Sequence, residues 1–159
     1  MPLTHLDPDG NARMVDVSDK DITAREAIAE GWIALSPAAF MAITEGRVKK
    51  GDVLAVAQLA GIAAAKRTPE LVPLCHPIPL TGVKVMLEPC EGSRVRAWAR
   101  VRSTWRTGVE MEALTCVTAA LLTVYDMVKA IDKGPEIGPV RLIEKRGGRS
   151  GTWVRSGAD

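Results

Sequence analysis

The sequence predicts an α+β fold in which an antiparallel sheet packs against helices. Three stretches carry that expectation. Residues 83–105 alternate apolar and polar side chains on both sides of a turn, the pattern of a hairpin. Residues 53–65 are apolar almost all round, the pattern of a buried helix. Residues 111–131 repeat apolar side chains at helical spacing and stop at Gly134-Pro135. Helices, then a hairpin, then a helix and a strand suit an α+β sandwich.

Taken in order, the first dozen residues are polar, hold Pro8 and Gly10, and are expected to be flexible. Met14-Val15-Asp16-Val17 suits a short strand. Thr23 with Glu26 fits a capping box, with Ser18 as the alternative start, and Ala24, Ile28, Gly31, Trp32 and Leu35 follow helical spacing. Ser36-Pro37 reads as an N-cap followed by proline at the first helical position, opening a second helix that ends at Gly46. Asp52 caps a third helix, closed by Lys66 and Arg67, where cations suit the helix dipole.

Pro69, Pro73, Pro77 and Pro79 then stiffen the next segment and exclude a long helix or a central strand. In the hairpin, Val83, Val85 and Leu87 share one face, as do Val95, Ala97, Ala99 and Val101, with the turn at Pro89 to Ser93. In the long helix, Leu114, Val117, Thr118, Leu121, Tyr125 and Val128 form the apolar stripe. Ile137 to Lys145 is a last strand, and the tail from residue 147 to 159 is glycine-rich and expected to be loose. No repeat or linker divides the chain, so residues 1–159 are expected to form a single domain.

Composition narrows the function. The chain is 47% hydrophobic but only 4% aromatic, so the core is aliphatic. A net charge of +2 argues against a dedicated nucleic-acid binder. Three cysteines, an odd number with no C-x-x-C pair, argue against a disulfide framework and for a reducing compartment. The first residues lack the basic-then-apolar pattern of a secretory leader, and the apolar run at 53–65 is too short to cross a bilayer. A cytoplasmic protein without membrane partners is expected.

Several segments could carry chemistry, each with a plainer alternative. Gly46 to Asp52 places Arg47, Lys49 and Lys50 in a glycine-bounded loop, suited to phosphates or simply a solvated turn. Cys75-His76 sits among prolines, where the histidine could be a base, a donor to a phosphate, or structural. A metal site needs three or four ligands, and the spacing does not supply them. Glu110 and Glu112 could bind a guanine-like edge or share acid/base work; equally, they are acids favoured in a helix's first turn. Asp126 and Lys129 are three apart and meet on one helical face, as a surface pair or as an activated amine. Arg94, Arg96, Arg100 and Arg102 line one strand face, which suits nucleic acid, solvent or a subunit contact.

Together these segments point further. Lys50-Gly51-Asp52, Ala64-Ala65-Lys66-Arg67-Thr68, Leu74-Cys75-His76-Pro77, Thr107-Gly108-Val109-Glu110-Met111-Glu112-Ala113-Leu114-Thr115, Tyr125-Asp126-Met127 with Lys129, and Ile137-Gly138-Pro139-Val140-Arg141-Leu142 stand in order. In this combination the chain closely resembles the cyclic pyranopterin monophosphate synthase family of molybdenum cofactor biosynthesis, also called accessory protein C, from about Met14 to Gly151.

The resemblance implies a ferredoxin-like α+β fold and a homohexamer built as a trimer of dimers, with sites at the dimer interface. It implies a lyase acting on cyclised 7,8-dihydroguanosine triphosphate, with release of pyrophosphate and without metal or redox cofactor. Carried over residue by residue, it makes Lys50 and Lys129 the acid/base pair and Asp126 the carboxylate that supports Lys129. Leu74, Cys75, His76, Met111 and Glu112 match substrate-binding positions, and Glu110, Lys66 and Arg25 match polar positions around the same pocket. One departure stands at Thr104-Trp105-Arg106-Thr107-Gly108, where a glycine-lysine pair is more usual; Arg106 keeps the charge, and Trp105 leaves the loop's shape open.

Two other function classes remain to be weighed. A guanosine triphosphate cyclohydrolase commonly needs zinc ligands. A scaffold or RNA binder would depend on Arg94 and Arg96 more than on Lys50 and Lys129.

Overall fold

The computed structural model describes residues 3–157. Its elements are β1 (Thr23–Ala34), α1 (Pro37–Thr44), α2 (Val53–Lys66), α3 (Thr68–Leu71), β2 (Leu80–Cys90), β3 (Arg94–Trp105), α4 (Glu110–Val128), β4 (Glu136–Arg146) and β5 (Trp153–Val154). The strands form one sheet in the order β2-β3-β1-β4-β5, with every neighbouring pair antiparallel. This is an α+β arrangement consistent with a ferredoxin-like fold, to which β5 adds a short edge.

Local signals account for most elements. The Ser36 hydroxyl accepts from the Ala39 amide at 3.1 Å, and Pro37 occupies the first position of α1. The Asp52 carboxylate accepts from the Ala55 amide at 3.1 Å and opens α2. The hairpin β2–β3 pairs Val83 with Val101, Val85 with Ala99 and Leu87 with Ala97, so the alternating residues share the core face. Val95, Ala97, Ala99 and Val101 are fully buried. In α4 the stripe holds at Val117, Leu121 and Val128, whereas Thr118 is exposed.

The segment read as the first helix is a strand. Thr23–Ala34 forms β1, the centre of the sheet, paired with β3 on one edge and β4 on the other. Its sequence fits both periods. Ala27, Ala29 and Ile33 point to the core at strand spacing and are fully buried. Two flanking strands satisfy the backbone of β1 on both edges, and this pairing overrides a helix-favouring composition. Thr23 caps nothing, and its hydroxyl has no partner. Met14 to Val17 also departs from expectation: it forms no strand.

The change in β1 settles the arginine face. As strand residues, Glu26 and Glu30 lie across from Arg102 and Trp98 in the ladder. Glu26 pairs with Arg102 at 2.5 Å. Glu30, 3% exposed, accepts from Arg96 at 2.8 Å and is bridged to Arg141 at 2.7 Å. Arg141 also lies 5.4 Å from the centre of the Trp32 ring. Two of the four arginines are thus neutralised within the sheet.

The helices α2 and α4 pack on the other face. Gly61 lets them approach: a Cβ there would stand 3.0 Å from the Cys116 carbonyl oxygen. Lys50 ahead of α2 reaches Asp126 late in α4, so the two helices run antiparallel. The C-terminal end of α2, the proline-rich segment and the start of α4 therefore gather at the opposite end. By length and composition α4 could cross a bilayer, but it is the core helix of this fold.

Candidate active site

Fourteen residues of α4 separate two groups of the expected site residues. At a rise of 1.5 Å per residue, Glu112 and Asp126 lie about 21 Å apart along the axis.

The C-terminal end of α4 carries Lys50, Asp126 and Lys129. Lys50 Nζ donates to the Asp126 backbone carbonyl at 3.0 Å and to Asp126 Oδ2 at 3.1 Å. Lys129 Nζ lies 2.8 Å from Oδ1 of the same carboxylate. Asp126 thus receives both ammonium groups, and hydrogen bonds from Lys129 and then Lys50 hold its carboxyl below the usual range. The same contact pushes Lys129 upward, holding it as a cation. All three side chains are open to water.

The N-terminal end of α4 forms one wall of a cleft of about 620 Å³, which includes Leu74, Cys75, His76, Glu110, Met111 and Glu112. Glu112 is 2% exposed, and its Oε1 has no hydrogen-bond partner. Burial, then the charge of Glu110, pushes its carboxyl up to about 7. The Cys75 thiol lies 4.0 Å from Glu112 Oε2 and is pushed up to about 11 by burial and the two glutamates. Cys75 is therefore a neutral thiol at neutral pH, suited to lining a pocket rather than to attacking a substrate. His76 Nε2 lies 2.6 Å from the Val15 carbonyl; since a carbonyl only accepts, this nitrogen carries the proton. The contact ties the segment after Met14 to the cleft mouth.

A third region was not foreseen in full. A pocket of about 520 Å³ adjoins the cleft and shares Thr107, Gly108 and Glu110 with it. Lys20, Arg25, Lys145 and Arg149 supply four cations to its wall. Lys145 Nζ stands 3.4 Å from Glu110 Oε1, joining the pocket to the cleft. Gly108 permits this arrangement, since a Cβ there would overlap the folded-back Glu110 carboxylate. Arg25 donates to the carbonyls of Trp105 and Arg106, both at 3.4 Å.

Sequence reasoning named Arg25 and Glu110 here but missed Lys20, Lys145 and Arg149. The available signal is Lys145 at the end of a strand, followed by Gly147-Gly148-Arg149-Ser150-Gly151, a glycine-rich run that suits a loose tail equally well. In the structure Trp153 and Val154 pair back to β4 and hold that turn.

Two expected residues stand apart. Lys66 is exposed at the end of α2, near this end of the molecule but outside the walls of both cavities. Trp105 lines a shallow groove with Met14 to Ser18 rather than the cleft, so its bulk leaves the cleft open. Among the described residues, no group of three or more His, Cys, Asp or Glu side chains is placed to hold a metal ion.

Comparison with known proteins identifies the family. The model of the MoaC family matches residues 14–148. A protein of Thermomicrobium roseum named cyclic pyranopterin monophosphate synthase is 58% identical over 154 residues, covering 96% of this chain and 93% of its own. A protein of the same name from Pelotomaculum thermopropionicum is 55% identical over 158 residues, covering 99% and 93%. Cyclic pyranopterin monophosphate synthase 1 of Mycobacterium bovis is 53% identical over 159 residues, covering 100% and 94%. With a family match across both ends of α4 and relatives aligned over nearly their whole length, this chain belongs to the MoaC family.

Proposed function

We propose that this enzyme of molybdenum cofactor biosynthesis converts cyclised 7,8-dihydroguanosine triphosphate to cyclic pyranopterin monophosphate, releasing pyrophosphate. One observation carries the reading: a buried carboxylate with one oxygen unpartnered, Glu112, stands in a cleft that opens into a pocket lined by cations. A carboxylate accepts two hydrogen bonds from the donor edge of an aminopyrimidine. The cations suit a polyphosphate attached to the same molecule.

In this reading Glu112 holds the aminopyrimidine edge, and Leu74, Cys75 and Met111 enclose the ring. Glu110, Arg25 and His76 surround the sugar and phosphates, and Lys66 stands outside them at the end of α2. Lys50 and Lys129 move the protons needed to open the imidazole-derived ring, form the pterin ring and close the cyclic phosphate. A placed acid or base contributes ~10²–10⁴-fold. Asp126 orients both ammonium groups, and its contact with Lys129 holds that lysine as a cation.

The separation of about 21 Å along α4 bears on assembly. One nucleotide does not reach both groups within a single chain. The lysine group is instead supplied by a neighbouring copy, in keeping with a hexamer built from dimers. Two copies related by a two-fold axis would complete two sites at once. The free thiols of Cys75, Cys90 and Cys116 fit a cytoplasmic enzyme.

The test is an anaerobic incubation with the cyclised substrate, following pyrophosphate and the oxidised pterin product together. Both are expected to form, and both to vanish with Lys50→Ala. A folded wild-type protein that binds the substrate but forms neither product refutes the proposal.

A further inference from the structure

We propose that Arg106 is a positioning residue for the cleft: through the Ser18 carbonyl it holds residues 5–18 as a strap along the cleft mouth, and so keeps His5 against a bound ring. This rests on the synthase reading and adds to it a part of the chain that closes on the ligand.

The strap is a small body of its own. Leu6 and Ala12 form an antiparallel bridge, the Arg13 amide donates to the His5 carbonyl at 2.8 Å, and the Asp7 amide donates to the Asn11 carbonyl at 2.9 Å. The Asp7 carboxylate closes the turn by accepting from the Asn11 amide at 2.8 Å. None of its side chains is buried, so no apolar core fixes it to the helices or the sheet. Among the described residues, two hydrogen bonds tie it to the rest of the chain. His76 Nε2 donates to the Val15 carbonyl at 2.6 Å, and Arg106 Nη1 donates to the Ser18 carbonyl at 2.8 Å. Both anchors grip backbone, so they set the path of the strap. The Arg106 guanidinium lies 5.8 Å from the centre of the Trp105 ring, and both residues line the groove along Met14 to Ser18. A segment held by so few contacts opens at low cost.

Position links the strap to the ligand. His5 and Ala12 line the cleft of about 620 Å³ together with Leu74, Cys75, Met111 and Glu112. A ring seated there touches strap and body at once. The ligand therefore adds contacts to the docked arrangement alone and shifts the strap toward it. Conversely, a loosened strap lowers the apparent affinity, because fewer chains are ready to bind. His76 serves both as an anchor and as cleft wall, whereas Arg106 lines neither the cleft nor the cationic pocket. An effect of Arg106 on binding therefore runs through the strap.

The test combines tryptic cleavage after Arg13 with calorimetric titration of the full-length protein. The probes are GTP, which carries an aminopyrimidine edge and a triphosphate, and guanosine, which lacks the phosphates. Saturating GTP is expected to slow cleavage of the wild type fivefold or more. Free Arg106→Gln is expected to be cleaved threefold or more faster than the free wild type, with an unchanged melting temperature. The variant is also expected to bind guanosine and GTP more weakly by the same factor, threefold or more. Lys84→Gln, which removes the same charge from β2, is expected to bind both as the wild type does. Cleavage indifferent to GTP overturns the strap, as does unchanged binding by Arg106→Gln. A loss confined to GTP makes Arg106 a phosphate contact, and an equal loss in Lys84→Gln makes the effect one of general charge; either overturns the positioning role. No step needs turnover. A chain that forms no product yet shows these changes refutes the synthase reading and keeps the strap, whereas an active chain whose strap ignores GTP refutes the strap alone.

Discussion

Replacing Glu112 by glutamine should stabilise the protein in alkaline solution and not in acid. The carboxyl is 2% exposed, one oxygen has no partner, and Glu110 adds a like charge nearby. Its titration therefore moves from the ordinary 4.5 to about 7 in the folded protein. Below pH 4.5 the group is protonated whether the chain is folded or not, and contributes no pH dependence. Between 4.5 and about 7 the folded chain keeps a proton that the unfolded chain releases, so stability falls as pH rises. Above 7 both states are ionised and the full penalty stands, ~3 kcal/mol for a shift of this size.

Glutamine has nearly the same shape and no charge, so Glu112→Gln escapes that penalty. Thermal melts of both proteins at pH 5 and pH 8.5, at one chain concentration and ionic strength, isolate the effect of Glu112 and the groups coupled to it, because independent titrating groups cancel in the difference. The gain of the variant over wild type should grow by roughly 5–10 °C between the two pH values. A difference that stays constant to about 1 °C would mean that Glu112 is ionised throughout and that the reasoning from burial is wrong.

Four further outcomes are expected. Lys129→Ala should lower turnover by ~10²-fold or more while barely moving the melting temperature, because the pair with Asp126 is open to water; near-normal turnover removes Lys129 from the mechanism. Mixing inactive Lys50→Ala and His76→Ala chains under exchange conditions should restore part of the activity, and failure of every such pairing would favour sites built within one chain. Glu30→Ala should cost about 3 kcal/mol, because Arg96 and Arg141 lose a shared buried partner; a chemical denaturation midpoint unchanged from wild type contradicts this. Gly61→Val should destabilise by roughly 1–3 kcal/mol by forcing α2 from α4, read in the same denaturation assay, and a neutral result would show that the helices yield freely.

The fold was legible where pairing is local. β2 and β3 are joined by a three-residue turn, so both halves of the ladder lie side by side in sequence. β1 was not legible, because its partners lie some 70 and 110 residues away in register, at Arg94 to Trp105 and Glu136 to Arg146. Alternation of Ala27, Ala29 and Ile33 was present but masked by alanine and glutamate that also suit a helix. That one misreading hid the partners of the arginines, since Glu26 and Glu30 oppose them only in a strand. The site divides in the same way. Asp126 and Lys129 meet through helical spacing, which is visible in sequence, whereas Lys50 arrives through the antiparallel packing of α2 on α4, which is not. The residues themselves were reached through the family motif. Lys20, Lys145 and Arg149 escaped because no single segment holds the pocket together, and the turn that shapes it depends on a strand of two residues.

The helix α4 also works as a gauge with two settings, length and phase. From Glu112 to Asp126 the backbone winds through about 1400°, some 40° short of four full turns, so both carboxylates leave close to the same side. One inserted residue would swing one end by about 100° against the other and turn its buried side chains away from α2 and the sheet. Seven inserted residues would nearly restore the phase but lengthen the helix by about 10 Å. No insertion between these positions preserves both settings. A change of length between these positions therefore disturbs the spacing of the two carboxylates, their direction, or both.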